Sequence, residues 1–212
     1  MKIEISELQE LLKIMETNNV SVVQLRGLIE GTPKADFDVA DSDVIAETLG
    51  GIISTTAIPA TTEQFIAKDN FIVDTSKNAK VKILRLGRNF KSWFGTKTEN
   101  QFSGSSIVGR QLIESSLDAP ILKELGGNKK AETTLTEIYA MMQMHASAKT
   151  SDLLANNDDA NIFYVKDASG TLRAVSVAWG VGGWIVYATS INSFDEWWSI
   201  GNRVFCRDSL VA

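Results

Sequence analysis

Near the N-terminus, apolar side chains recur every three to four positions: Ile5, Leu8, Leu11, Leu12 and Met15, then Val22, Leu25, Leu28 and Ile29. That spacing lines up one face of a helix. Ser6 with Gln9 and Ser21 with Gln24 form capping boxes at the two starts. Thr17-Asn18-Asn19 and Gly31-Thr32-Pro33 provide the stops. A third short helix is expected from Ser42 through Leu49, closed by Gly50-Gly51. Residues 53–62 are Thr-rich, uncharged and broken by Pro59, which reads as a linker.

Beyond residue 62 the period changes. Residues 71–74 and 80–86 read as strands joined by a polar turn. Asn89 is expected to cap a helical turn over 90–94, ending at Gly95, with a polar loop over 96–106 and a strand over 107–113. Pro120 in the first turn and Gly126-Gly127 at the end bracket another helix from Asp118. The longest helix is expected over 132–146, with Leu135, Ile138, Tyr139 and Met142 as its stripe. Residues 161–166, 171–179 and 184–191 are rich in β-branched and aromatic side chains, separated by tight glycine-containing turns. That pattern predicts an antiparallel β-meander. A helical turn over 194–198 and a short strand over 203–206 complete the chain. The fold class is therefore α+β: a small acidic helical region (1–52), a linker (53–62) and an α+β domain (63–212) with a C-terminal meander.

Composition fits a globular protein, with 212 residues, 44% hydrophobic and 22% charged. No apolar run reaches the ~20 residues that span a bilayer, and the N-terminus lacks a signal-peptide layout. One cysteine, Cys206, excludes an internal disulfide and a cysteine-based zinc cage. The expected location is the cytoplasm, with no membrane association. Net charge is −5, but it is segregated. Residues 1–52 hold four basic and ten acidic residues, whereas 75–98 hold seven basic residues and no acid.

Three segments carry a family resemblance: Lys130-Ala-Glu-Thr-Thr-Leu-Thr-Glu-Ile-Tyr-Ala-Met-Met142, Ala160-Asn-Ile-Phe-Tyr-Val-Lys-Asp167 and Gly201-Asn-Arg-Val-Phe-Cys-Arg-Asp-Ser209. Over about residues 63–210 the chain resembles uncharacterised proteins of bacteriophages and bacterial mobile elements that close on a Gly-x-Arg-Val-Phe-x-Arg tail. The resemblance implies a viral or mobile-element origin, hence a bacterial host cytoplasm or a virion as the location. It brings no activity and no catalytic residues. Cys206 stands where a small polar residue is more usual in that tail.

The basic stretch interleaves cations with aromatics. Lys80, Lys82, Arg85, Arg88 and Lys91 with Trp93 form the mixture that holds phosphates and stacks on bases. The same residues also read as an ordinary half-solvated strand and a core-facing helix, or as a docking patch for the acidic N-terminal region. Trp179, Trp184, Trp197, Trp198 and Phe205 crowd the C-terminal third, more aromatic bulk than one face of a small sheet buries. They point to a protein interface.

Other constellations have ordinary explanations. Asn157, Asp159 and Asn161 alternate like the first ligands of an EF-hand loop, but Ile162 and Ala168 stand where Gly and Glu are needed. His145 is the one histidine, so a multi-histidine metal site is excluded. The glycines at 180, 182 and 183 precede a strand and read as turn residues. No catalytic residue, metal site or cofactor is assigned, although a carboxylate-only hydrolase leaves no spacing signature. The leading expectation is a non-catalytic interaction protein, a virion or assembly component that contacts other subunits or its own copies. The alternative is a nucleic-acid-binding or host-directed regulatory protein using the stretch 77–97.

Overall fold

The computed structural model describes residues 47–147, 153–192 and 197–208, all within the unit that runs from Ala46 to Ala212. The first two expected helices and most of the third lie outside the described residues, as do residues 194–196 of the expected helical turn. Ten strands and five helices are present among the described residues. The strands are β1 (Leu49–Ile58), β2 (Phe65–Ile66), β3 (Ile83–Leu86), β4 (Thr98–Glu99), β5 (Ser105–Leu112), β6 (Glu132–Thr133), β7 (Asn161–Lys166), β8 (Leu172–Gly180), β9 (Gly183–Ser190) and β10 (Arg203–Arg207). The helices are α1 (Ala67–Asn70), α2 (Arg88–Phe94), α3 (Asp118–Glu124), α4 (Asn128–Ala131) and α5 (Leu135–Ser147). The class is α+β.

Eight strands form one mixed sheet in the order β1-β5-β10-β7-β8-β9-β3, with β6 beside β7. β7, β8 and β9 pair antiparallel in chain order, from Asn161↔Val177 through Gly180↔Gly183. Gly170 (φ +84°) and Gly182 (φ +91°) turn the chain between them, a conformation that L side chains rarely adopt. The meander is not the end of the domain. β10 follows it and slots between β5, antiparallel, and β7, parallel. β6 then continues along the same edge of β7, pairing Glu132 with Tyr164.

At the centre of the sheet both faces are buried, which period-two alternation along β7 makes visible. On β7, Phe163 and Val165 enter one core with Val175, Val177, Trp184, Val186 and Phe205. Ile162 and Tyr164 enter the other with Leu172, Ala174 and Val204. α5 covers the first face through Leu135, Ile138, Tyr139, Met141 and Met142, and α3 covers part of the second through Ile121 and Leu122.

Several expectations change. Residues 53–58, read as linker, are the second half of β1, and Leu49 begins that strand rather than ending a helix. The Ile-Ile-Ser-Thr-Thr-Ala-Ile run suits a pleated strand, which Pro59 then ends. Residues 71–74 form no strand. Phe71 caps α1 and is buried, and only Asp74 bridges Ile83. The strand expected over 80–86 is shortened to β3, and the polar loop over 96–106 contains the two-residue β4. α2 starts two residues earlier than expected, after Gly87.

α5 starts at Leu135, three residues later than expected. The Thr134 hydroxyl accepts from the Glu137 amide (3.2 Å) while the Glu137 carboxylate accepts from the Thr134 amide (2.7 Å). This reciprocal box sets the start. A second carboxylate, Glu99 on β4, accepts from the amides of Leu135 (3.0 Å) and Thr136 (2.9 Å). Glu137 is fully buried and also receives Arg207 (2.8 Å) and Ser105 (2.6 Å), tying β10 and β5 to the helix.

Candidate functional site

Of the basic stretch, Arg85 lies on β3, the edge strand, whereas Lys80 and Lys82 precede it and Arg88 and Lys91 lie on α2. Ahead of the strand Val81 is buried while Lys80 and Lys82 are exposed, and Ile83 opens β3 as a buried residue. Continued alternation would send Arg85 to the same face as Ile83. Instead the β3–β9 pairing is Ile83↔Trp184 and then Arg85↔Ile185, so β3 carries one extra residue. A bulge of this kind re-aims the side chains that follow it. Arg85 consequently lies over the Tyr187 ring, 5.5 Å from its centroid.

Arg85 and Arg88 line a cleft of about 600 Å³ together with Tyr187, Trp197, Trp198 and Asn89. Its floor is Ser176 and Thr189 on β8 and β9. By alternation these side chains belong to the second face, beyond the part that α3 covers. Arg85 and Arg88 are exposed and form no ion pair with a described residue, and no carboxylate lines the cleft among the described residues. Trp197 is 62% exposed. Tyr187 is held from below by Gly87, where a Cβ would come within 2.5 Å of the ring. Trp198 is half-buried and fixed: its backbone bridges Ser116, and its Nε1 donates to Asp118 (2.7 Å). The Thr189 hydroxyl oxygen is buried with no hydrogen-bond partner.

Lys80 and Lys82 line a second cleft, of about 420 Å³, on the opposite face between α5 and β8–β9. There the indoles of Trp179 and Trp184 meet edge to face at 5.0 Å, and His145 meets Trp184 at 5.1 Å. Burial, and then the Arg203 charge, hold the His145 pKa below its ordinary value.

The expected residues thus separate into several groups. Lys80 and Lys82 share one cleft and Arg85 and Arg88 the other, while Lys91 is exposed outside both. Trp93 is no open stacking platform. The Arg173 guanidinium lies 4.1 Å over its ring, and its carbonyl accepts from Ala168. Of the aromatic residues expected at an interface, Trp184 (1% exposed) and Phe205 (0%) are core, both packed in the cluster that α5 covers. Trp179 is half-buried, and Trp197 is the indole that projects. Sequence reasoning counted Tyr187 only among the crowded C-terminal aromatics, not as a site residue. Its place on the second face beside Arg85 depends on strand register and on the bulge, neither of which leaves a local signal.

Asn161 is buried, exchanging hydrogen bonds with the backbone of Ala155 and donating to Val177, so it serves the fold rather than a cation. Among the described residues no group of three or more His, Cys, Asp or Glu side chains is placed to hold a metal. Nor, among them, is any helix long and apolar enough to cross a membrane. No protein-family model, curated protein or solved structure matches the chain.

Proposed function

We propose that the protein binds single-stranded nucleic acid through the cleft of Arg85, Arg88, Tyr187, Trp197 and Trp198. The observation that carries this reading is the composition of that cleft: two guanidiniums without an ion pair to any described residue, three aromatic rings, and no described carboxylate in the lining. Guanidiniums track a phosphate backbone, and exposed rings stack on unpaired bases without sequence preference. A projecting Trp197 fits that use, since an indole left in water gains from being covered by a base. The protein acts here by binding, and no bond-making step is assigned to it.

Electrophoretic shift of a fluorescent single-stranded oligonucleotide across a salt series tests the proposal. Binding at low salt that weakens steeply as salt rises is the expected result. The R85E/R88E double variant should abolish it, and Trp197→Ala should cost about 1–3 kcal/mol if the ring stacks. No binding at low salt ends this reading.

A second reading, a virion or assembly component of the viral or mobile-element origin that the tail resemblance implies, is favoured by β1. Among the described residues this ten-residue strand pairs along one edge only, and Ile52 (59%) and Ile53 (46%) are exposed. An open strand of that length is a template for strand addition by a partner or a second copy. Light scattering at high concentration separates the readings. A strict monomer with no co-purifying subunit removes the second.

A further inference from the structure

Among the described residues, two buried side-chain polar atoms lack a hydrogen-bond partner: Thr189 Oγ1 and His145 Nδ1. Thr189 lines the cleft assigned above to nucleic acid, and His145 lines the other. Buried polar atoms are nearly always paired in folded proteins, so each orphan marks an unusual place in the wall of its cleft, with the atom itself covered. The His145 cleft joins this orphan to three further features. Lys80 and Lys82 are exposed at its rim and form no ion pair with a described residue. The half-buried Trp179, braced edge to face on the buried Trp184, supplies an aromatic wall. Gln143 adds an amide that donates and accepts.

We propose that this cleft is a separate binding site for a mononucleotide-sized ligand that joins a flat ring to a phosphate. The phosphate lies against Lys80 and Lys82, and the ring lies against Trp179, where Gln143 and His145 meet its polar edge. The volume of about 420 Å³ suits a ligand of that size. No carboxylate lines the site among the described residues, so the two ammonium groups are available to an anion. Burial, and then the Arg203 charge, lower the His145 pKa and favour the neutral imidazole, and with Nδ1 covered the ring can meet a ligand only through Nε2. The site is independent of the oligonucleotide proposal, because it occupies the other face of the sheet and uses different cations.

His145 is the single histidine of the chain, so its imidazole resonances need no assignment strategy. The test is an NMR titration of the full chain with adenosine 5′-monophosphate, and separately with adenosine and with inorganic phosphate, alongside indole fluorescence. Adenosine 5′-monophosphate should move the imidazole signals saturably, and the Lys80→Gln/Lys82→Gln variant should bind it at least tenfold more weakly. R85E/R88E should bind it within twofold of the parent chain, which separates this site from the oligonucleotide cleft. Unmoved imidazole signals at millimolar adenosine 5′-monophosphate would overturn the proposal. So would adenosine binding as tightly as the nucleotide, because the phosphate would then have no role. Equal binding of inorganic phosphate would overturn it as well, by removing the role of the ring.

Discussion

The indole Nε1 of Trp198 donates to Oδ1 of Asp118 at 2.7 Å, and the Tyr164 hydroxyl donates to the same oxygen at 2.8 Å. Asp118 is 2% exposed and opens α3, so one carboxylate joins that helix, the centre of the sheet and the wall of the arginine cleft. Burial, and then the neighbouring Asp118 charge, push the Tyr164 pKa well above its ordinary value, which keeps the phenol a donor.

Replacing Asp118 by Ala strands two buried donors at once. The expected loss is about 2–4 kcal/mol of stability in urea unfolding. Because Trp198 is released, oligonucleotide affinity should fall as well. Tyr164→Phe removes only one donor, so it should cost about 1–2 kcal/mol and leave affinity unchanged. A stability loss with Asp118→Ala no larger than with Tyr164→Phe would show that Trp198 is not held this way.

Arg207 and Glu137 give a different signature. Glu137 is wholly buried and Arg207 is its counter-charge, at 2.8 and 3.1 Å. Arg207→Leu leaves an uncompensated interior carboxylate and should destabilise by about 3–5 kcal/mol. The Arg207→Leu/Glu137→Leu double variant should lose less than the sum of its single changes, measured as a double-mutant cycle in denaturant.

Gly87 tests the cleft through shape alone. Its φ of −61° is open to any residue, so the constraint is the Tyr187 ring rather than the backbone. Gly87→Ala should displace that ring, with about 1–3 kcal/mol of overpacking cost and weaker oligonucleotide binding. Tyr187→Ala in the same background should recover the stability but not the binding. Thermal melts and gel shift read the two effects.

Asp167 predicts a pH dependence. Burial pushes its pKa up, but hydrogen bonds from Ser169, Arg173 and the Thr171 and Ser169 amides outweigh it and bring the value to about 2. The folded value lies below the ordinary carboxylate value, so the stabilisation is complete above roughly pH 4 and disappears as pH falls toward about 2. Urea midpoints measured between pH 5 and pH 2 should drop through that window, and Asp167→Asn should flatten that part of the profile.

The legible parts of this fold were the local ones. β7, β8 and β9 carry their own alternation and turn glycines, so their pairing could be read without any other part of the chain. The start of α5 was readable too, in Thr134 and Glu137, although periodicity alone extended the helix back to residue 132. Glu99, which caps the same helix from a distance, left no trace in the sequence. β1 was read as linker because a Thr-rich uncharged run has the same composition in an edge strand as in a tether. The position of β10 between β5 and β7 joins residues roughly a hundred positions apart along the chain in one ladder, which no window of sequence contains. At the candidate site, the charge of the basic stretch was plain from composition. The bulge after Ile83 that turns Arg85 toward Tyr187, and the cover that α5 gives the core holding Trp184 and Phe205, lie outside any local pattern.

β10 also sets an order of events during synthesis. β5 and β7 do not pair with each other, so β1–β5 and the meander remain two half-built ladders until Arg203–Arg207 has left the ribosome. The last zipper to close is thus among the most distant in sequence, where loop-closure entropy slows folding most. Throughout that wait the nascent chain exposes two sticky, unpaired borders to its surroundings.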